Sequence, residues 1–210
     1  MKNNELSQYK KLLIIVDMIN GFVTEGALAD PEIAKIVPEI TRIIDQTMEE
    51  GGYVAFVKDT HHEKSKEFES FPPHCIKGTR EAELIDELKP YEDLGLGISY
   101  EKNSTSTIFA KGFLKDIESM TELDEIVIVG CCTDICIANL AIPLKNFLNE
   151  NDRDTKIVVP ENAVETFNAQ WHDRNEWNLM ALAMMKQNGV EVVKEYKTET
   201  DIRYEWDTLS

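Results

Sequence analysis

The chain has 210 residues, 42% of them hydrophobic, enough to bury one sizeable core in a single domain spanning 1–210. Its 39 acidic residues against 22 basic ones leave a net charge of -17, which disfavours nucleic acid and anionic membrane surfaces as partners and suits a small neutral or cationic substrate, or another subunit. The opening MKNNELSQYKKLLIIVDM lacks a signal-peptide cleavage region, and no stretch approaches the roughly 20 apolar residues that span a bilayer. A cytoplasmic location is therefore expected, with Cys75, Cys131, Cys132 and Cys136 reduced.

Strand-like apolar runs alternate with helical patterns. LLIIVD (12–17) reads as a buried strand. A helix is expected over 30–52, capped by Asp30 and Pro31, with Ile33, Ile36, Val37, Ile40, Ile43 and Ile44 at helical spacing and a kink at Pro38. YVAFVKD (53–59) is a second strand, 60–79 a structured loop, and 80–88 a short helix. GISYEK (97–102) reads as a strand, 109–120 as a helix despite Gly112, and EIVIVG (125–130) as the central strand. A helix over 133–151 opens with Thr133 as N-cap; 156–164 contains a fifth strand, 173–189 a helix closed by Gly189, and 190–196 a last strand. In the polar tail, Ile202, Tyr204 and Trp206 are available to dock.

Near-continuous apolar strands alternating with helices imply a doubly wound three-layer α/β/α domain with a mainly parallel six-stranded sheet. Ligands bind such sheets beyond the C-terminal strand ends. Chemistry is then expected at Asp17, Asp59, around Lys102 and at 130–136, each directly after a strand.

GCCTDIC (130–136) holds three of the four cysteines. Cys136 falls in the first turn of the expected helix, where free amides and the helix dipole favour a thiolate and could stabilise an oxyanion. Packing is the alternative for an apolar-stretch cysteine, and suits Cys131 and Cys132 at the strand end. A zinc site lacks paired spacing, and no redox CxxC exists. Asp17 could be a base or a loop-bracing carboxylate; Lys102 alone reads as a surface lysine. In DTHHEKSKEFESFPPHC (59–75), Asp59 and His61 share one side of an extended chain and His74 can return through the Phe-Pro-Pro turn. Asp/His/His with a Glu is a reasonable ligand set for zinc, iron or manganese, although His-rich surface loops often bind nothing.

Together these pieces resemble the isochorismatase-like cysteine hydrolases, and within them the nicotinamidases, from about Leu12 to Tyr196. IIVDMINGFVTEGAL is similar to the family's opening strand and D-x-x-N-D-F…G-A-L segment, with Gly21 where Asp is commoner. VKDTHHEKSKEFESFPPHCIKGTREAELI resembles the metal loop, YEKNSTSTIF the lysine segment K-x-x-x-S-A-F, and VIVGCCTDICI the segment V-x-G-x-x-T-D-x-C-V.

The resemblance implies Cys136 as nucleophile, Asp17 as general base and Lys102 as third member of a triad. It implies a cis peptide between Cys131 and Cys132, with the N–H groups of Cys132 and Cys136 as the oxyanion hole. Metal ligands would be Asp59, His61 and His74, with Glu67 a fourth; His62 matches no ligand position. The ion would be divalent, zinc first, with iron or manganese as alternatives. Phe22, with Tyr100 or Phe68, would wall an aromatic ring. The implied activity is hydrolysis of nicotinamide to nicotinate and ammonia, in an enzyme that forms homo-oligomers. Other readings are a different carboxamide or N-carbamoyl amide hydrolase, a flavin module, which the loop DMINGFVTEG without a Ser/Thr-rich phosphate cradle disfavours, and a non-catalytic binding protein.

Overall fold

The computed structural model describes residues 6–197 and 201. Strands β1 (Lys11–Val16), β2 (Tyr53–Asp59), β3 (Ile98–Lys102), β4 (Glu125–Cys131), β5 (Lys156–Pro160), β6 (Val164–Glu165) and β7 (Glu191–Val193) form one parallel sheet. Its order is β3-β2-β1-β4-β5-β7, six strands as expected, and the two-residue β6 adds beside β4.

Side chains alternate along each strand, so each strand feeds two cores. Leu12, Ile14, Val16, Ile126 and Ile128 face α4 (Phe113–Ser119), α5 (Ala138–Glu150) and α6 (Arg174–Gln187). Leu13, Ile15, Phe56, Val127 and Val129 face α1 (Asn20–Val23) and α2 (Val37–Glu49). Both faces are covered, which is why the central strands are apolar throughout.

The expected helix over 30–52 is two pieces. Asp30 caps a 3-10 turn, Pro31–Ile36, by accepting from the Glu32 N–H at 3.0 Å. The α-helix then starts at Val37 and places Pro38 in its first turn, where the missing N–H removes no helical bond, so Pro38 starts the helix rather than kinking it.

The expected helix over 80–88 does not form beyond a 3-10 turn at Arg80–Ala82. Tertiary bonds take its carbonyls: the Asn20 amide donates to Arg80 O, Glu83 O and Leu84 O at 3.1, 3.2 and 3.2 Å. The Ile85 N–H also turns away, to Met18 O at 3.1 Å. A short helix, α3 (Lys89–Asp93), follows instead. Gly112, at φ 89°, precedes α4, so that helix begins four residues later than its apolar pattern suggests. The last strand shrinks to three residues. Ile202, Tyr204 and Trp206 lie outside the described residues.

Candidate active site

The strand order reverses between β1 and β4, and the polar residues gather at the C-terminal ends there. Asp17 follows β1 in a left-handed conformation, φ 53°, which Asp tolerates better than most residues. Its N–H donates to Val57 O at 2.9 Å, and its Oδ1 accepts from the Asp59 N–H at 2.8 Å. Lys102 ends β3 in register with Asp59. At the end of β4, Gly130 has φ 114° and lies so close to β1 that a Cβ would sit 2.1 Å from Val16 O. The Cys131–Cys132 peptide is cis, as expected. Cys131 points inward, its Sγ donating to Asp17 O at 3.2 Å, while Cys132 lines the cleft.

Thr133 is not the N-cap of the next helix. Cys132 holds that position, and Thr133–Ile137 forms a single π turn ahead of α5. The Thr133 hydroxyl is buried without a hydrogen-bond partner, so it caps nothing. This turn carries Cys136.

The structure brings the three expected groups together. Lys102 Nζ lies 2.8 Å from Asp17 Oδ2, 2.9 Å from Asp59 Oδ1 and 3.7 Å from Cys136 Sγ. Lys102 is only 3% exposed and Cys136 4%, which overturns the surface-lysine alternative. Burial raises the Asp17 carboxyl to about 6, against the pull of Lys102. Burial also pushes the Cys136 thiol well above its ordinary range, with Lys102 opposing. That runs against the expectation of a thiol lowered at a helix N-terminus: burial, with Asp17 and Asp59 nearby, raises it instead. Burial would depress the Lys102 ammonium, but Asp17, Cys136 and Asp59 outweigh it and hold the lysine charged.

A second cluster adjoins the first. Asp59, His61, Glu67 and His74 offer ligand atoms all within 4.8 Å of one another. His74 Nδ1 donates to Pro72 O at 2.8 Å, which leaves Nε2 facing Asp59 Oδ2 at 3.3 Å. His61 Nδ1 is engaged by Asn103 Oδ1 at 3.0 Å and Ser65 Oγ at 3.2 Å. Its Nε2 approaches Asp59 Oδ2 to 3.0 Å and Glu67 Oε1 to 3.9 Å, yet is buried without a hydrogen bond. Burial favours a neutral His61, but Asp59 and its other polar neighbours outweigh it and raise its pKa. Two imidazoles anchored through Nδ1, with Nε2 atoms converging on carboxylates, fit a divalent ion. His62 is exposed and outside the cluster, as expected.

Both clusters open into one cleft of about 690 Å³. Phe22 lines it, as expected. Tyr100 does not: its ring packs on Phe113 and its hydroxyl donates to Asp116. Phe68 packs edge-on against His61 and His74 and braces the ligands instead. Phe71, Phe167 and Trp171 line the cleft and escaped the sequence reading, because their segments show no periodicity. Asn103, which directly follows Lys102, also escaped it; its adjacency to Lys102 was the available signal.

A thiol held with an acid and an ammonium group at the mouth of a doubly wound sheet defines a hydrolase of the nucleophilic kind. Comparison with known proteins agrees. The isochorismatase domain family matches residues 11–195, and the chain belongs to that family. It is 30% identical over 171 residues to a Bacillus subtilis (strain 168) protein described as the uncharacterized isochorismatase family protein PncA, covering 78% of this chain and 90% of the relative. It is 28% identical over 218 aligned positions to Nicotinamidase 1 of Arabidopsis thaliana, covering 90% and 87% of the two chains. Among solved structures, nicotinamidase PncA from Bacillus subtilis superposes with TM-score 0.72 at 32% identity, covering 88% of this chain and 99% of that one. N-carbamoylsarcosine amidase from Thermoplasma acidophilum superposes with TM-score 0.73 at 26% identity, covering 90% and 99%.

Proposed function

We propose that this protein hydrolyses nicotinamide to nicotinate and ammonia through a thioester on Cys136. The observation that carries the reading is that one aromatic-lined cleft reaches both clusters, Cys136 with Asp17 and Lys102 behind it, and Asp59, Glu67 and His74 with His61 behind them. The resemblance to nicotinamidases in sequence and in fold supports it.

In this reading Asp17 removes the thiol proton, using a carboxyl that burial has raised toward neutral pH. Lys102 holds the resulting thiolate by charge. Cys136 Sγ attacks the carboxamide carbon, and the oxyanion rests on the N–H groups of Cys132 and Cys136, where one donor is worth about 3 kcal/mol. Asp17 returns the proton to departing ammonia, and water cleaves the thioester to the acid. A divalent ion held by Asp59, His61, His74 and Glu67, zinc by preference, supplies a Lewis-acid anchor for the ring nitrogen when bound. Phe22 walls the ring.

The test is ammonia release from nicotinamide, with and without a chelator. Release that the chelator suppresses and added zinc restores supports the reading; no release refutes it. The second reading, an N-carbamoyl or other amide hydrolase, is favoured by the superposition on N-carbamoylsarcosine amidase, and a carboxamide and carbamoyl panel separates the two. A cytoplasmic location fits the four unpaired cysteines, and no helix among the described residues is long and apolar enough to cross a membrane. A homo-oligomer belongs to the same reading; the exposed apolar face of α6, with Met180 and Met184, is a surface a second copy could cover, and light scattering tests it.

A further inference from the structure

The π turn that carries Cys136 also carries Asp134, whose carboxylate reaches the segment 166–172. Asp134 Oδ1 accepts from the Thr166 hydroxyl at 2.5 Å, and Oδ2 pairs with His172 Nε2 at 2.9 Å. His172 is itself fixed from every side. It is 2% exposed and stacks between Phe167, centroids 3.9 Å apart, and Trp177, 4.6 Å apart, with both rings within 10° of parallel. Its Nδ1 donates to Phe167 O at 3.0 Å. Its backbone closes a two-bond bridge with Ala169, 3.0 Å each way. Phe167, Asn168, Ala169 and Trp171, all within this closed loop, line the cleft beside Cys136.

A rigid loop that forms one wall of the cleft is thus bonded through one carboxylate to the turn bearing the nucleophile. Both ring nitrogens of His172 face acceptor oxygens, Nδ1 that of Phe167 and Nε2 that of Asp134. Such a pair, shielded by two aromatic rings, is short and directional where a packing contact would allow slip. The chemistry needs that rigidity. The proposed oxyanion donors are backbone N–H groups of this same segment, and a shift of about 1 Å in such a group costs on the order of a hundredfold in rate.

We propose that His172 is a positioning residue that acts through Asp134: the pair locks the Cys136 turn against the cleft wall and so sets the nucleophile and its N–H groups against the bound substrate. This rests on the cysteine-hydrolase reading above, and it assigns a role to two residues that touch neither substrate nor metal ligands.

The test uses the intact protein and three substitutions. His172→Gln retains a donor at the Nε2 position, toward Asp134; His172→Asn retains one at the Nδ1 position, toward Phe167 O; His172→Ala retains neither. With nicotinamide, kcat is expected to stay within about threefold of the parent for Gln and to fall about tenfold or more for Asn and Ala, while KM changes less than about threefold. The same ranking is expected in the rate of Cys136 alkylation by iodoacetamide, followed by mass, which does not depend on the substrate being nicotinamide. Circular dichroism melts accompany each variant. Equal losses for Gln and Asn, or losses confined to KM or to melting temperature, overturn the proposal. If the parent releases no ammonia from nicotinamide but the alkylation ranking holds, the substrate reading fails and the clamp stands. Should the position-172 variants not fold, Asp134→Asn keeps the shape and removes the charge. It is expected to slow both readouts about tenfold, and unchanged rates overturn the proposal.

Discussion

Lys102 Nζ lies 2.8 Å from Asp17 Oδ2, and neither side chain is more than 1% exposed. Asp59 Oδ1 sits 2.9 Å from the same ammonium, so one buried lysine is the shared counter-charge of two buried carboxylates. Removing one member of such a cluster leaves uncompensated buried charge, which costs more than the ion pair itself contributes.

Lys102→Met is therefore expected to destabilise the fold by about 3–5 kcal/mol as well as to abolish activity. For a chain of this size that corresponds to a fall of roughly 10 °C in melting temperature, readable by calorimetry. A normal melt in an inactive variant would show that the lysine serves chemistry alone.

Cys136→Ala separates chemistry from folding. The thiol is small and lies at the edge of the cleft, so removing it opens only a small gap. Ammonia release is expected to fall at least about a thousandfold with the melt nearly unchanged, and substantial residual turnover would remove Cys136 from the nucleophile's place.

Asn103→Ala tests the metal cluster from outside the ligands. Its carbonyl oxygen engages His61 Nδ1 at 3.0 Å and orients the ring that presents Nε2. Metal affinity, measured by competition with a chromogenic chelator, is expected to weaken about 10–100-fold. An unchanged affinity would place the ion elsewhere.

Gly130→Ala probes the contact between β1 and β4. The position combines φ 114° with a Cβ 2.1 Å from Val16 O, and the obstructing atom is backbone in the sheet centre. Destabilisation of at least about 3 kcal/mol is expected, readable as a lower urea midpoint, and a soluble variant of parental stability would contradict the close approach.

Much of this fold can be read along the chain. The run Tyr53–Asp59 is a strand from end to end as its composition suggests, and β1 and β4 match within a residue or two. The helix expected over 173–189 forms as α6, and Asp173 caps it by accepting from the N–H groups of Asn175 and Glu176 at 2.9 and 3.0 Å. One failure shows a distant group overriding local preference. Residues 80–88 have a helical pattern, but the amide of Asn20, some sixty residues earlier, takes the carbonyls a helix would use.

The amino-acid sequence by itself determined the alternation of strand and helix, the family resemblance, and hence which acid, lysine, cysteine and histidines to watch, because periodicity, capping and short motifs are local properties. Only the tertiary structure decided that Lys102 is buried between two carboxylates, that burial raises the Cys136 thiol, and that Asp134 and His172 tie the nucleophile's turn to the cleft wall. Those are consequences of which chain segments exclude water from one another, and exclusion of water is settled by three-dimensional packing alone.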